Sequence, residues 1–112
     1  MISRINLTKE ATKITAALIH QLRLRPNITS RNALLYSIGK GDRYNKKTRI
    51  KCDGKELNIQ VLFGDNAEIY FMLIKQAYGL EIKKINIKHL IAFHIEKGLK
   101  DEKFINTIKG KV

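Results

Sequence analysis

Apolar and polar residues alternate at the start of the chain. In MISRINLTKEA, Ile5 and Leu7 point one way and Arg4 and Asn6 the other, the period-two pattern of a short strand with a polar face. The period then lengthens. Ala11, Ile14, Leu18 and Leu22 recur at three- and four-residue spacing and predict a helix over residues 9–23. Thr8 is placed to cap it, and Glu10 lies in the first turn, where the helix dipole favours an acid. The helix ends before Pro26, because a residue preceding proline avoids the helical region.

A second helix follows, with Thr29 or Ser30 as its cap, Ala33, Leu34 and Ile38 as its buried stripe and Gly39 as a left-handed stop. KGDRYNKKTRIKCDGK, from Lys40, reads as a loop or ragged strand that turns at Asp53-Gly54, and KELNIQVLF after it reads as partly extended. Asp65 and Glu68 have the D-x-x-E spacing of a capping box opening NAEIYFMLIKQAY, a third helix ended by Gly79. It is apolar almost all round, which predicts a central buried helix or an oligomer contact. A fourth helix over residues 86–97 turns Ile87, Leu90, Ile91, His94 and Ile95 inward and stops at Gly98. Asp101 caps a last short helix carrying Phe104, Ile105 and Ile108. The fold class is therefore mainly α: a small helical domain with a short N-terminal strand, one domain over residues 1–112.

Charge changes the picture. The 112 residues hold 22 Lys and Arg against 10 Asp and Glu, a net charge of +12, and so strong a self-repulsion points to a polyanionic partner. Nucleic acid is the first choice and an anionic membrane surface the second. Residues 1–56 carry a net +9 and residues 57–112 a net +3, and all six arginines lie in the first half. Arginine suits forked phosphate or guanine contacts, so the first half is the expected binding face. One cysteine, Cys52, leaves no internal disulfide and fits a reducing cytoplasm. The opening residues lack the pattern of a signal peptide, and no apolar run reaches the length of a membrane span.

Catalytic chemistry finds little to stand on. His89 and His94 lie five residues apart, about 140° around a helix, and cannot share a metal from one face. Basic neighbours of Cys52 would lower its pKa, but no adjacent base accompanies it. Neither Walker nor dinucleotide glycine patterns occur, and no cofactor or metal is expected.

Binding chemistry has two candidate places. In LRLRPNITSRNALLYS, residues 22–37, a helix start offers unpaired amides and the positive end of a dipole. Arg23, Arg25 and Arg31 add charge there, while Asn27, Thr29 and Ser30 add polar donors; the alternative is a capped helix with solvated arginines. The second place is the segment between Lys40 and Lys51, where Arg43, Lys46, Lys47, Arg49 and Lys51 would track a nucleic-acid backbone and Tyr44 would stack on an exposed base. Its alternative is a solvated loop. The strand-helix-helix order also matches ribbon-helix-helix DNA binders, in which strands from two chains pair and would carry Arg4 and Asn6 into the major groove.

Three stretches carry a family resemblance: RPNITSRNALLYSI, DGKELNIQVLFGDNAEIYFMLIKQ and FHIEKGL. Within them Pro26, Asn27 and Arg31, the G-x-E-x-N of Gly54, Glu56 and Asn58, then Gly64, and the H-x-x-x-G of His94 and Gly98 resemble the DndE family of bacterial DNA phosphorothioation. The resemblance runs from the first strand to about Leu99. It implies a non-catalytic, tetrameric subunit that binds duplex DNA, with a preference for nicked duplex. Such a subunit works beside a sulfurtransferase and an ATPase that replace a phosphate oxygen by sulfur. The competing expectations are a ribbon-helix-helix regulator and a basic adaptor with an acidic protein partner.

Overall fold

The computed structural model describes residues 2–110. Strand β1, Arg4–Asn6, buries Ile5 and exposes its two polar neighbours. It pairs antiparallel with β2, Glu56–Asn58, with Ile5 opposite Leu57. This pairing lies within one chain and corrects the ribbon-helix-helix expectation. There β1 would pair with its copy in a second chain.

Helix α1, Lys9–Leu22, is capped as its sequence predicts: the Thr8 hydroxyl accepts the Ala11 amide, and Arg23 ends the helix in the left-handed region at φ 57°. Helix α2, Pro26–Lys40, starts earlier than the Thr29 or Ser30 cap predicts. Pro26 occupies its first position, where the ring's fixed φ suits a helix and the missing N–H costs nothing. It also ends later, at Gly41 (φ 94°) rather than Gly39.

A five-residue helix α3, Ile59–Phe63, follows β2 and is capped by the Asn58 side chain. Asp65 falls in a 3₁₀ turn, Gly64–Asn66, ahead of helix α4, Ala67–Tyr78, and no side-chain capping bond forms at that start. A second 3₁₀ segment, Gly79–Lys84, leads to α5, Ile87–Lys100, and Asp101 caps α6, Glu102–Ile108.

The central helix is α5, not α4. From Leu90 to Ile95 every residue of α5 is buried, and it packs along α2, α1, β1 and α6. Gly98 does not stop this helix. It lies within α5 where a Cβ would collide with the backbone of Ala33 on α2, so its missing side chain sets how closely the two helices cross. On α4 only Ile74 and Tyr78 are buried, while Ile69, Met72 and Leu73 stay exposed. The nearly continuous apolar character of α4 therefore marks an outer surface rather than a core.

Candidate nucleic-acid interface

The α1–α2 corner presents Arg23 and Arg25 to solvent. Arg25 is the last extended residue before α2, with φ −70° and ψ 140°. Pro26 has no amide hydrogen and the Thr29 amide donates to the Arg25 carbonyl. The unpaired amides of this turn thus belong to Asn27 and Ile28, among the described residues.

Four of the expected donors at this corner face elsewhere. Thr29 and Ser30 are buried, and the Thr29 hydroxyl donates back to the Arg25 carbonyl at 3.1 Å. Since α2 begins at Pro26, both residues have already rotated towards the core and cannot reach a phosphate. The Asn27 amide donates to the Val61 carbonyl at 3.1 Å, and Arg31 Nε donates to the Leu62 carbonyl at 2.6 Å. These two side chains close the C-terminal end of α3, where carbonyls of a short helix lack partners. Asn27 and Arg31 thus dock α3 on α2. Replacing Arg31 by Met is expected to lower stability by about 2 kcal/mol, the scale for a charged hydrogen bond to a part-buried acceptor. Lysine would restore little, because a point charge cannot repeat the guanidinium fork. Urea unfolding of the two variants checks both statements.

The basic segment after α2 is ordered in two parts. Its first part is tied to α4 and α5. Arg43 donates to the Ala77 carbonyl at 2.7 Å, pairs with Glu81 at 3.5 Å and lies 4.2 Å from the Tyr78 ring centroid. Tyr44 is buried against Phe93, with ring centroids 5.5 Å apart, and burial pushes its hydroxyl pKa up. It is a core residue and not a stacking platform for a base.

The second part turns outward. Asn45 and Thr48 close a tight turn, with the Thr48 amide donating to the Asn45 carbonyl at 2.9 Å and the Asn45 side chain accepting the Lys47 amide at 2.8 Å. Lys46 and Lys47 are therefore carried at the turn's tip. Beyond it exposure alternates: Arg49 and Lys51 are exposed, while Ile50 and Cys52 are half-buried. The segment ends beside α1, where the Lys55 amide donates to the Thr12 hydroxyl at 2.9 Å. No local pattern announces that pairing, since it is made by the fold across 43 residues.

The two basic places are not continuous. The 15 residues of α2 separate Arg25 from Lys40, about 22 Å of helix. Arg4 faces Glu56 across the ribbon at 3.2 Å, and the Asn6 amide donates to the Gly54 carbonyl. Both ribbon side chains that would have read bases are thus engaged within the chain.

His94 is buried, with Nδ1 2.7 Å from the Ser37 hydroxyl and Nε2 2.6 Å from the Tyr78 hydroxyl. Among the described residues no group of three His, Cys, Asp or Glu side chains could hold a metal ion. Burial, followed by the nearby Asp53 and Glu96, pushes the Cys52 thiol up, the reverse of the activation its basic neighbours suggest. No helix among the described residues is long and apolar enough to cross a membrane.

The model of the family described as DNA sulphur modification protein DndE matches residues 4–105. The chain belongs to the DndE family. The fold agrees. Over 89% of this chain and 97% of the other, it superposes on the crystal structure of DndE from Escherichia coli B7A, a protein involved in DNA phosphorothioation modification, with a TM-score of 0.76 and 24% identity. A glycine-to-lysine mutant of DndE involved in DNA phosphorothioation gives a TM-score of 0.72 at 24% identity over 88% of this chain and 95% of that one. A search of the curated proteins finds no match. DndE membership places the chain in DNA sulphur modification.

Proposed function

We propose that this DndE-family chain is a DNA-binding, non-catalytic subunit of a DNA phosphorothioation complex, which holds duplex DNA through phosphate contacts and prefers nicked duplex. The observation that carries the reading is the outward presentation of Lys46 and Lys47 at a turn tip and of Arg49 and Lys51 on the stretch after it, in a segment anchored at Tyr44 and Lys55. Such a row meets successive phosphates, and its binding energy comes mainly from released counterions. Arg23 and Arg25, with the free amides of Asn27 and Ile28, form a second contact at the other end of α2. Two contacts separated by a helix length suit a rod-shaped polyanion better than a small acidic ligand. The sulfur chemistry falls to the sulfurtransferase and ATPase partners. Exposed Ile69, Met72 and Leu73 on α4 provide an apolar surface for assembly, with other subunits or as a homotetramer that would multiply the DNA contacts.

The test is binding to matched intact and nicked duplexes across a salt series. Neutralising five phosphates gives a slope of log K against log salt of about −4.5. Changing Lys46, Lys47, Arg49 and Lys51 together to Gln is expected to make that slope shallower by about 3.6. A flat slope in the parent protein, or no binding at low salt, would refute the DNA contact and favour a basic adaptor for an acidic protein.

A further inference from the structure

Five groups join the end of α2, the basic segment, α4 and α5 in one hydrogen-bonded line. The Tyr44 amide is 2.9 Å from the Tyr78 hydroxyl, which is 2.6 Å from His94 Nε2. His94 Nδ1 is 2.7 Å from the Ser37 hydroxyl, which is 2.9 Å from Asp42 Oδ2. An amide can only donate and a carboxylate can only accept, so Ser37 gives its proton to Asp42 and must accept from Nδ1–H, and the bare Nε2 of a neutral imidazole then takes the Tyr78 proton. Tyr44 donates to Tyr78, Tyr78 to Nε2, Nδ1–H to Ser37 and Ser37 to Asp42. A neutral His94 in this line carries its proton on Nδ1. An imidazolium would aim a second N–H at a Tyr78 oxygen already accepting from Tyr44, and would leave the Tyr78 proton without its acceptor.

Both ends of this line lie on the basic segment, at Asp42 and Tyr44, on either side of Arg43. The residues facing His94 fit that arrangement. Asp42 is drawn towards Lys40 at 3.2 Å, Arg43 lies over the Tyr78 ring, and Phe93 packs edge-on at 5.2 Å between ring centroids. The Asp42 amide is held in addition by the Ser37 carbonyl at 3.1 Å. We propose that His94 is a positioning residue: through this relay it latches the root of the basic segment to α4 and α5, so that Lys46, Lys47, Arg49 and Lys51 meet DNA already ordered. The latch stands on this geometry alone; its effect on DNA rests on the binding function proposed above. Binding by an ordered segment is tighter because less freedom is lost on contact.

The experiment compares the full chain with its Tyr78→Phe variant, which keeps the ring and removes the central hydroxyl. Nitrogen NMR of the parent protein is expected to show His94 protonated at Nδ1 and bare at Nε2; the opposite tautomer would overturn the relay. In Tyr78→Phe, hydrogen exchange at the amides of Asp42 and Tyr44 is expected to accelerate together by about tenfold, the effect of leaving buried partners unpaired. Acceleration at Tyr44 alone would mean a local bond and no latch. Duplex affinity is expected to fall about threefold to tenfold, through the ordering freedom then lost on binding, with the far-ultraviolet spectrum unchanged. Joint acceleration with unchanged affinity, in a parent that binds DNA with a steep salt slope, would overturn the positioning role. A parent that binds no DNA would refute the proposed function and with it the DNA half of this inference, while the exchange data would still decide the latch.

Discussion

Replacing Gly98 by alanine is expected to destabilise the protein by about 3 kcal/mol or more. The added Cβ would meet the carbonyl oxygen, carbonyl carbon and Cα of Ala33. These are backbone atoms of α2, so no rotamer change can make room and the two helices must separate. Ala33, Leu34, Leu90, Ile91, Ile95 and Leu99 are all essentially inaccessible to solvent, and close-packed interiors yield poorly to such a displacement. Thermal unfolding should show a midpoint lower by about 10 °C or more for a domain of this size. Gly39→Ala is the matched control. Nothing lies within 4 Å of a Cβ there, and an exposed helical glycine changed to alanine gains about 0.5–1 kcal/mol. A mild effect at Gly98 would show that α2 and α5 do not cross as closely as the structure has them.

The second large effect is a loss of stability as pH falls through the weakly acid range. Burial holds His94 down to about 4 in the folded state, against about 6.5 when unfolded. Between those values the unfolded chain binds a proton that the native one refuses, so stability rises with pH there and drops as pH falls. The full difference is on the order of 3 kcal/mol, intact above about pH 6.5 and gone below about pH 4. Asp101, held near 2 chiefly by its hydrogen bond from Lys40, contributes in a separate window, since its ordinary value lies near 3.8 and its share disappears only below that. Urea unfolding from pH 7 to 4.5 would therefore report His94. His94→Gln should be less stable at pH 7 and should lack most of the slope. An unchanged slope in that variant would assign the acid sensitivity elsewhere.

Much of the fold could be read from short-range pattern. The alternation around Ile5, the Thr8 and Asp101 caps and the inward stripe from Leu90 to Ile95 all depend on neighbours within one turn or strand, and each appears as expected. What could not be read depends on contact between distant segments. Gly98 looks like a helix stop until α2 is laid beside it. Tyr44 looks like an exposed aromatic among cations until α4 and α5 enclose it. Arg31 looks like a phosphate ligand until α3 presents its carbonyls. In the candidate interface, Lys46, Lys47, Arg49 and Lys51 follow directly from charge and turn residues. Thr29 and Ser30 were misplaced because Pro26 starts α2 one turn early. The approach of Lys55 to α1 was missed because only the fold brings those two segments together.

The ribbon of β1 and β2 has a consequence for the order in which the molecule is built. Its strands are joined across 52 residues at the Arg4–Glu56 contact, so during synthesis β1 emerges well before its partner exists. At about 5–20 residues per second, the first strand waits on the order of seconds with Ile5 and Leu7 uncovered. Central α5, which packs against β1, comes later still. The beginning of this chain is thus among the last parts to be secured, and the nascent protein passes through a stage in which its basic segment is already made while its core is not.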